Sequence, residues 1–164
     1  MLKTVFPTIL LIVCSLSYGQ NNLENTDLKY DFAGKLSTDE LKFTKLQFDW
    51  DSEDILIVNY TQLRTDCHFD NHTHKINSGK WWRKFYSETD ISNSLVVFLC
   101  SEKHEGIKGL YVDRTNFFLK HFFSRKKSCF AVLIINKNGD YLQFNGHYSE
   151  EQVSNYTQYL KSLL

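Results

Sequence analysis

Cysteines and histidines hold most of the chemistry this chain could do. Cys67, His68, His72 and His74 crowd one polar loop, and thiolate with imidazole suits zinc or copper. Their Cys-His-x3-His-x-His spacing matches no zinc-finger pattern, and histidines in polar loops are ordinarily solvated. No metal ligands and no cofactor are therefore assigned, and a Cys/His metal-binding protein stays as an alternative. Arg64, three residues before Cys67, favours a thiolate there, which makes Cys67 a candidate nucleophile. The plainer outcome is a loop thiol or half of a structural bridge. Cys100 ends an apolar run, where an unbridged cysteine behaves as a small buried hydrophobe.

The N-terminus points to a compartment. Lys3 supplies a short positive region, Val5 to Val13 an apolar one, and Ser17 to Gly19 a small-residue end, so residues 1–19 read as a signal peptide. Cleavage after Gly19 leaves Gln20 first. The apolar run is shorter than the roughly 20 residues needed to span a bilayer. A lipoprotein form would use Cys14, but Val13 stands where a small residue is wanted. Export to a periplasmic or extracellular space is expected, with three cysteines in the mature chain. Three thiols allow one intramolecular disulfide at most.

Charge is balanced at 19 basic and 19 acidic residues, which supports neither nucleic acid nor anionic lipid as a partner. The chain beyond the leader has the length of one domain. Aromatics make up 15% of the sequence and fall mostly in predicted elements, so they read first as core.

Residues 20–27 are polar and read as a disordered lead-in. From Leu28 to Trp50 apolar residues alternate (Tyr30, Phe32, then Leu41, Phe43, Leu46, Phe48, Trp50), predicting short antiparallel strands. Buried strands are expected at Ile55–Tyr60, Ser94–Cys100 and Phe130–Ile135. Between them, Ser78 can cap a helix bearing Trp81, Trp82, Phe85 and Tyr86, ending by Asp90 to Asn93. Neighbouring tryptophans point about 100° apart on a helix, so one should be core while the other can reach the edge as a contact surface, and core packing is the favoured reading for both. Asp113 can cap a helix with Phe117, Phe118, His121 and Phe122 on one side. His121 reads as a half-exposed or satisfied histidine, and His147 as one near a turn or helix start. Asn138-Gly139 signals a hairpin. Ser149 and Gln152 form a capping box before Val153, Tyr156, Leu160 and Leu163. Of three sequons, at Asn59, Asn71 and Asn155, the first lies in a buried strand and is a poor acceptor. Right-handed crossovers would make the first three core strands parallel, with the hairpin as an antiparallel edge.

The resulting β-α-β-α-β-β-α order resembles the thioredoxin-like superfamily, in its peroxiredoxin and TlpA-type thiol–disulfide oxidoreductase branch. The resemblance covers roughly residues 30–164. It rests on element order and on KNGDYLQFNGHYSEEQ, while AGKLSTDELK is similar to the preamble of TlpA-type proteins and implies an N-terminal β-hairpin. The fold it implies is an α/β three-layer sandwich around a mixed sheet.

The family's catalytic residues are missing. A CxxC should come after the first core strand, and Cys67-His-Phe-Asp70 stands there instead. The peroxiredoxin P-x-x-x-T/S-x-x-C pattern ending on Cys67 would meet Tyr60 and Arg64. The family's cis-proline would fall near Cys129 or Phe130, where a non-proline cis bond would cost about 2.5–4 kcal/mol and a trans peptide is expected. The resemblance also implies that Cys67, Cys100 and Cys129 share one rim of the sheet, making Cys67 and Cys129 candidate catalytic residues able to pair. Two functional classes remain: a non-catalytic or vestigial binding module, which is preferred, and a redox protein using Cys67 with Cys129 as resolving partner. The expected partner is a protein or a thiol.

Overall fold

The computed structural model describes residues 28–62, 79–100, 110–123 and 128–164. Six strands make one mixed sheet: β1 (Phe32–Lys35), β2 (Ile55–Thr61), β3 (Ser94–Cys100), β4 (Leu110–Val112), β5 (Phe130–Asn136) and β6 (Asp140–Asn145). Four helices accompany these strands among the described residues: α1 (Thr38–Phe48), α2 (Gly79–Ser87), α3 (Phe117–His121) and α4 (Glu150–Ser162). The strand order is β1-β6-β5-β2-β3-β4. No helix among the described residues is long and apolar enough to cross a membrane. The expected signal peptide and its expected cleavage site lie outside the described residues.

Strands β2 and β5 form the centre because their runs are apolar on both faces. Leu56, Val58, Leu133 and Ile135 join Phe48 of α1 and Phe118 of α3 in one core. Ile55, Ile57, Val132 and Ile134 face the other way, onto Phe85 of α2 and Val153, Tyr156 and Leu160 of α4. Helices on both faces leave the centre of the sheet dry, which is why these strands need no polar face.

Strand directions and edges differ from expectation. Strand β3 does run parallel to β2, but β5 is antiparallel to β2, so the three core strands are not all parallel. Strand β5 starts at the end of the sheet where β2 and β3 finish, so the chain makes no crossover of the βαβ kind to reach it. The hairpin strand β6 is not an edge either, because β1 pairs antiparallel along its outer side.

The expected N-terminal hairpin is one strand and a helix. Ser37 caps α1, accepting from the Glu40 N–H while the Glu40 carboxylate takes the Ser37 N–H at 2.8 Å. That capping box outweighs the local alternation of Leu41, Phe43, Leu46 and Phe48. Thr44 and Phe48, one turn apart, are the buried positions of the helix, and Leu46 is 71% exposed.

Asp113 does serve α3, from further away than a cap residue. Its carboxylate accepts the Leu119 N–H at 2.8 Å, while Asn116 holds the cap position. The short strand β4 just ahead of it has no counterpart among the predicted elements. In α4, Ser149 caps as expected, but the Gln152 side chain turns to Lys29 and Tyr156 instead of closing the box. Leu163, placed on the apolar stripe by spacing, is 45% exposed.

The β5–β6 hairpin forms, with a three-residue connection from Lys137 to Gly139. Gly139 takes the left-handed conformation, φ +91°, and its N–H bonds to the Asn136 carbonyl at 2.9 Å. Among the described residues the left-handed non-glycine ones are Asp49, Asn93 and Asn116, so Asn138 is not one of them. The two-residue mirror-image turn signalled by Asn-Gly, which needs φ > 0 at both positions, is therefore not used.

Candidate functional site

The candidate cysteines lead to the rim where β2 and β3 end and β5 begins. Thr61 at the end of β2 is in register with Cys100 on one side and Phe130 on the other. One residue on, the Gln62 N–H donates to the Cys129 carbonyl at 2.9 Å and the Gln62 side chain to the Ser128 carbonyl at 3.1 Å. Phe130 is pinned by its own N–H to Ser128 Oγ, 3.2 Å, and its ring lies 5.4 Å from that of His147.

The rim brings Cys100 and Cys129 to the same end of the sheet, while Cys67, the third cysteine expected there, lies outside the described residues. Cys129 is 4% exposed and sits in a disulfide. Cys100 is buried and keeps its thiol, 3.6 Å from the Tyr111 carbonyl. These two cannot be partners. Strand β2 runs between them, and two strand spacings of roughly 4.8 Å exceed the ~7 Å that a disulfide tolerates between Cα atoms. The partner of Cys129 therefore lies outside the described residues, where Cys67 also lies, with His68, His72 and His74. Among the described residues no group of three or more His, Cys, Asp or Glu could hold a metal. No cis peptide occurs among them either, so the bond ahead of Phe130 is trans, as expected.

The other histidines behave as their surroundings dictate. His147 is exposed, between the end of β6 and the cap of α4. His121 uses Nδ1 to reach the Phe117 carbonyl at 2.8 Å, with Nε2 3.8 Å from Glu40. Trp82 packs, partly buried, among Phe85, Tyr86, Phe98 and Tyr148 against the core of that face. The Trp81 side chain lies outside the described residues.

A buried polar cluster behind the rim was missed in the sequence. Asn59, 2% exposed in the middle of β2, accepts at Oδ1 from Tyr86 at 2.5 Å and from Tyr148 at 2.6 Å. Its Nδ2 donates to the Val97 carbonyl of β3 at 3.0 Å. Burial pushes both phenols upward, Tyr148 well above its usual range with the neighbouring Tyr86 adding to the rise. Both therefore stay neutral donors at ordinary pH. The arrangement ties α2 and the β6–α4 connection to the central strand, beside the rim. Its sequence signal was a lone asparagine inside the apolar run ILIVNYT. An amide in that position must find partners, and tyrosines are natural ones.

No protein-family model, no curated protein and no solved structure matches the chain.

Proposed function

We propose that the chain is an exported thioredoxin-like domain that works as a non-catalytic binding module. The thioredoxin-like part is supported by the run β3-β2-β5-β6, in which β5 alone points against the other three. It is also supported by α2 and α4 sharing one face while α3 packs on the other. Export rests on the leader, and mass analysis of the mature protein should place its N-terminus at Gln20.

Cys129 carries the non-catalytic reading. At the position where the enzymes of this family keep a cis-proline against an open thiol, this chain has a trans peptide and a buried cysteine already committed to a disulfide. With Cys100 keeping its thiol and Cys14 assigned to the leader, Cys67 is the cysteine left to pair with it. A structural bridge of this kind should lie below about −300 mV and resist glutathione buffers.

The same disulfide favours one second reading, a redox protein. There the Cys67–Cys129 dithiol is oxidised to the bridge while a partner's disulfide is reduced to two thiols. Peptide mapping of the protein equilibrated across glutathione buffers separates the two. A bridge that titrates between about −120 and −270 mV, with exchange abolished in Cys67→Ser, would replace the binding module by the redox protein.

A further inference from the structure

The chain carries two Asn-Gly pairs, Asn138-Gly139 and Asn145-Gly146, at opposite ends of β6. Glycine after asparagine removes the side chain that would hinder attack by its backbone nitrogen. Sequence alone ranks the two sites equally, and their surroundings separate them.

Asn145 is held on both sides of its amide. Nδ2 donates to the Asp31 carboxylate at 3.2 Å, Oδ1 accepts from Gln143 at 3.1 Å, and its backbone N–H reaches the same carboxylate at 2.6 Å. Both glycine N–H groups are held alike, Gly146 on the Phe130 carbonyl and Gly139 on the Asn136 carbonyl, each at 2.9 Å, so the asparagine side chains make the difference. Asn138 is exposed at the tip of the hairpin, and its side-chain amide makes no hydrogen bond among the described residues. The turn does not need that amide. Asn136 shapes the loop instead, its Oδ1 accepting from the N–H of Asn138 at 3.1 Å and of Asp140 at 2.9 Å.

We propose that Asn138 is a site of spontaneous deamidation and that Asn145 is protected by Asp31 and Gln143. The deprotonated amide nitrogen of Gly139 attacks Cγ of Asn138. A C–N bond forms, the Cγ–Nδ2 bond breaks, and ammonia leaves a succinimide. Water opens the ring at either carbonyl to give aspartate or isoaspartate, and nothing is oxidised or reduced. The product places a new carboxylate next to Lys137, which already pairs with Asp54 at 2.6 Å. The isoaspartyl form also adds a backbone atom to a loop whose length sets where Asp140 meets Asn136.

The test is timed incubation of the native mature protein at neutral pH, followed by chymotryptic mapping. Cleavage after Tyr141 and Phe144 puts the two asparagines on separate peptides. Asn138 should convert several-fold faster than Asn145, and the gap should close in urea, where only the local Asn-Gly sequence acts. Asp31→Ala should accelerate Asn145 several-fold in the folded protein without changing Asn138. Equal native rates at the two sites, or an Asn138 still intact when the unfolded chain has converted, would overturn the proposal. An Asn145 rate unmoved by Asp31→Ala would remove its protective half.

Discussion

The Tyr148 hydroxyl donates to the side-chain oxygen of Asn59 at 2.6 Å, joining residues 89 apart in the chain. Tyr86 shares that acceptor from α2. Asn59→Leu would fill the space but strand both phenols and the Val97 carbonyl, and each orphaned buried group costs about 1–3 kcal/mol. The urea midpoint should fall sharply in Asn59→Leu and modestly in Tyr148→Phe. A double-mutant cycle of Tyr86→Phe with Tyr148→Phe should be non-additive, because both bonds converge on one oxygen.

The tyrosines also set an alkaline limit. Burial raises Tyr86 and Tyr148, and it raises Tyr156 to about 12 against a bond from Gln152 that lowers it. A phenol whose folded value exceeds its unfolded 10.0 contributes stability that is complete below that value. This contribution is lost as pH rises from there through the folded values. Thermal melts should therefore drop above that pH, and Tyr148→Phe should shallow the decline. Phenolate absorbance appearing in the native protein with ordinary titration for all tyrosines would contradict this.

The acid limb has the opposite sign. Hydrogen bonds from the Ser37 backbone and hydroxyl hold Glu40 below its ordinary 4.5, with a smaller contribution from His121. Its contribution is present above the unfolded value and disappears as pH falls through the folded one. Ser37→Ala should cost about 1 kcal/mol at neutral pH and reduce the acid dependence of the melting temperature.

Thr157 offers a stabilising change. It is fully buried in α4, and its hydroxyl has no hydrogen-bond partner among the described residues. Thr157→Val keeps the shape and removes an unmatched polar group, so denaturant unfolding should show a gain of up to about 1 kcal/mol. A loss of similar size would mean that the hydroxyl is bonded in solution.

Local chemistry made much of the fold legible. The runs at 55–61, 94–100 and 130–136 are apolar over lengths that only buried strands use, and Ser149 announced α4 through the groups around its own backbone. The Ser37–Glu40 box is equally local, but the expectation of strands there rests on the alternation of apolar residues alone. Strand direction was different in kind. Nothing near Phe130 says that β5 runs against β2; that depends on β5 starting at the rim where β2 and β3 end, with no crossover back to the other end of the sheet.

Residue identities alone dictate that Cys67 has no CxxC partner at Asp70, that no proline precedes the hairpin strand, and that Asn59 falls among apolar neighbours. Which groups meet is settled by the assembled sheet and its helices. Cys100 and Cys129 share a rim yet stay apart because β2 lies between them, and Asn59 is satisfied by two tyrosines from elements that come after it in the chain. Two identical Asn-Gly pairs became different because one met Asp31 and the other met solvent. Bond types and propensities are written residue by residue, whereas partnership depends on distances that exist only once both cores have closed.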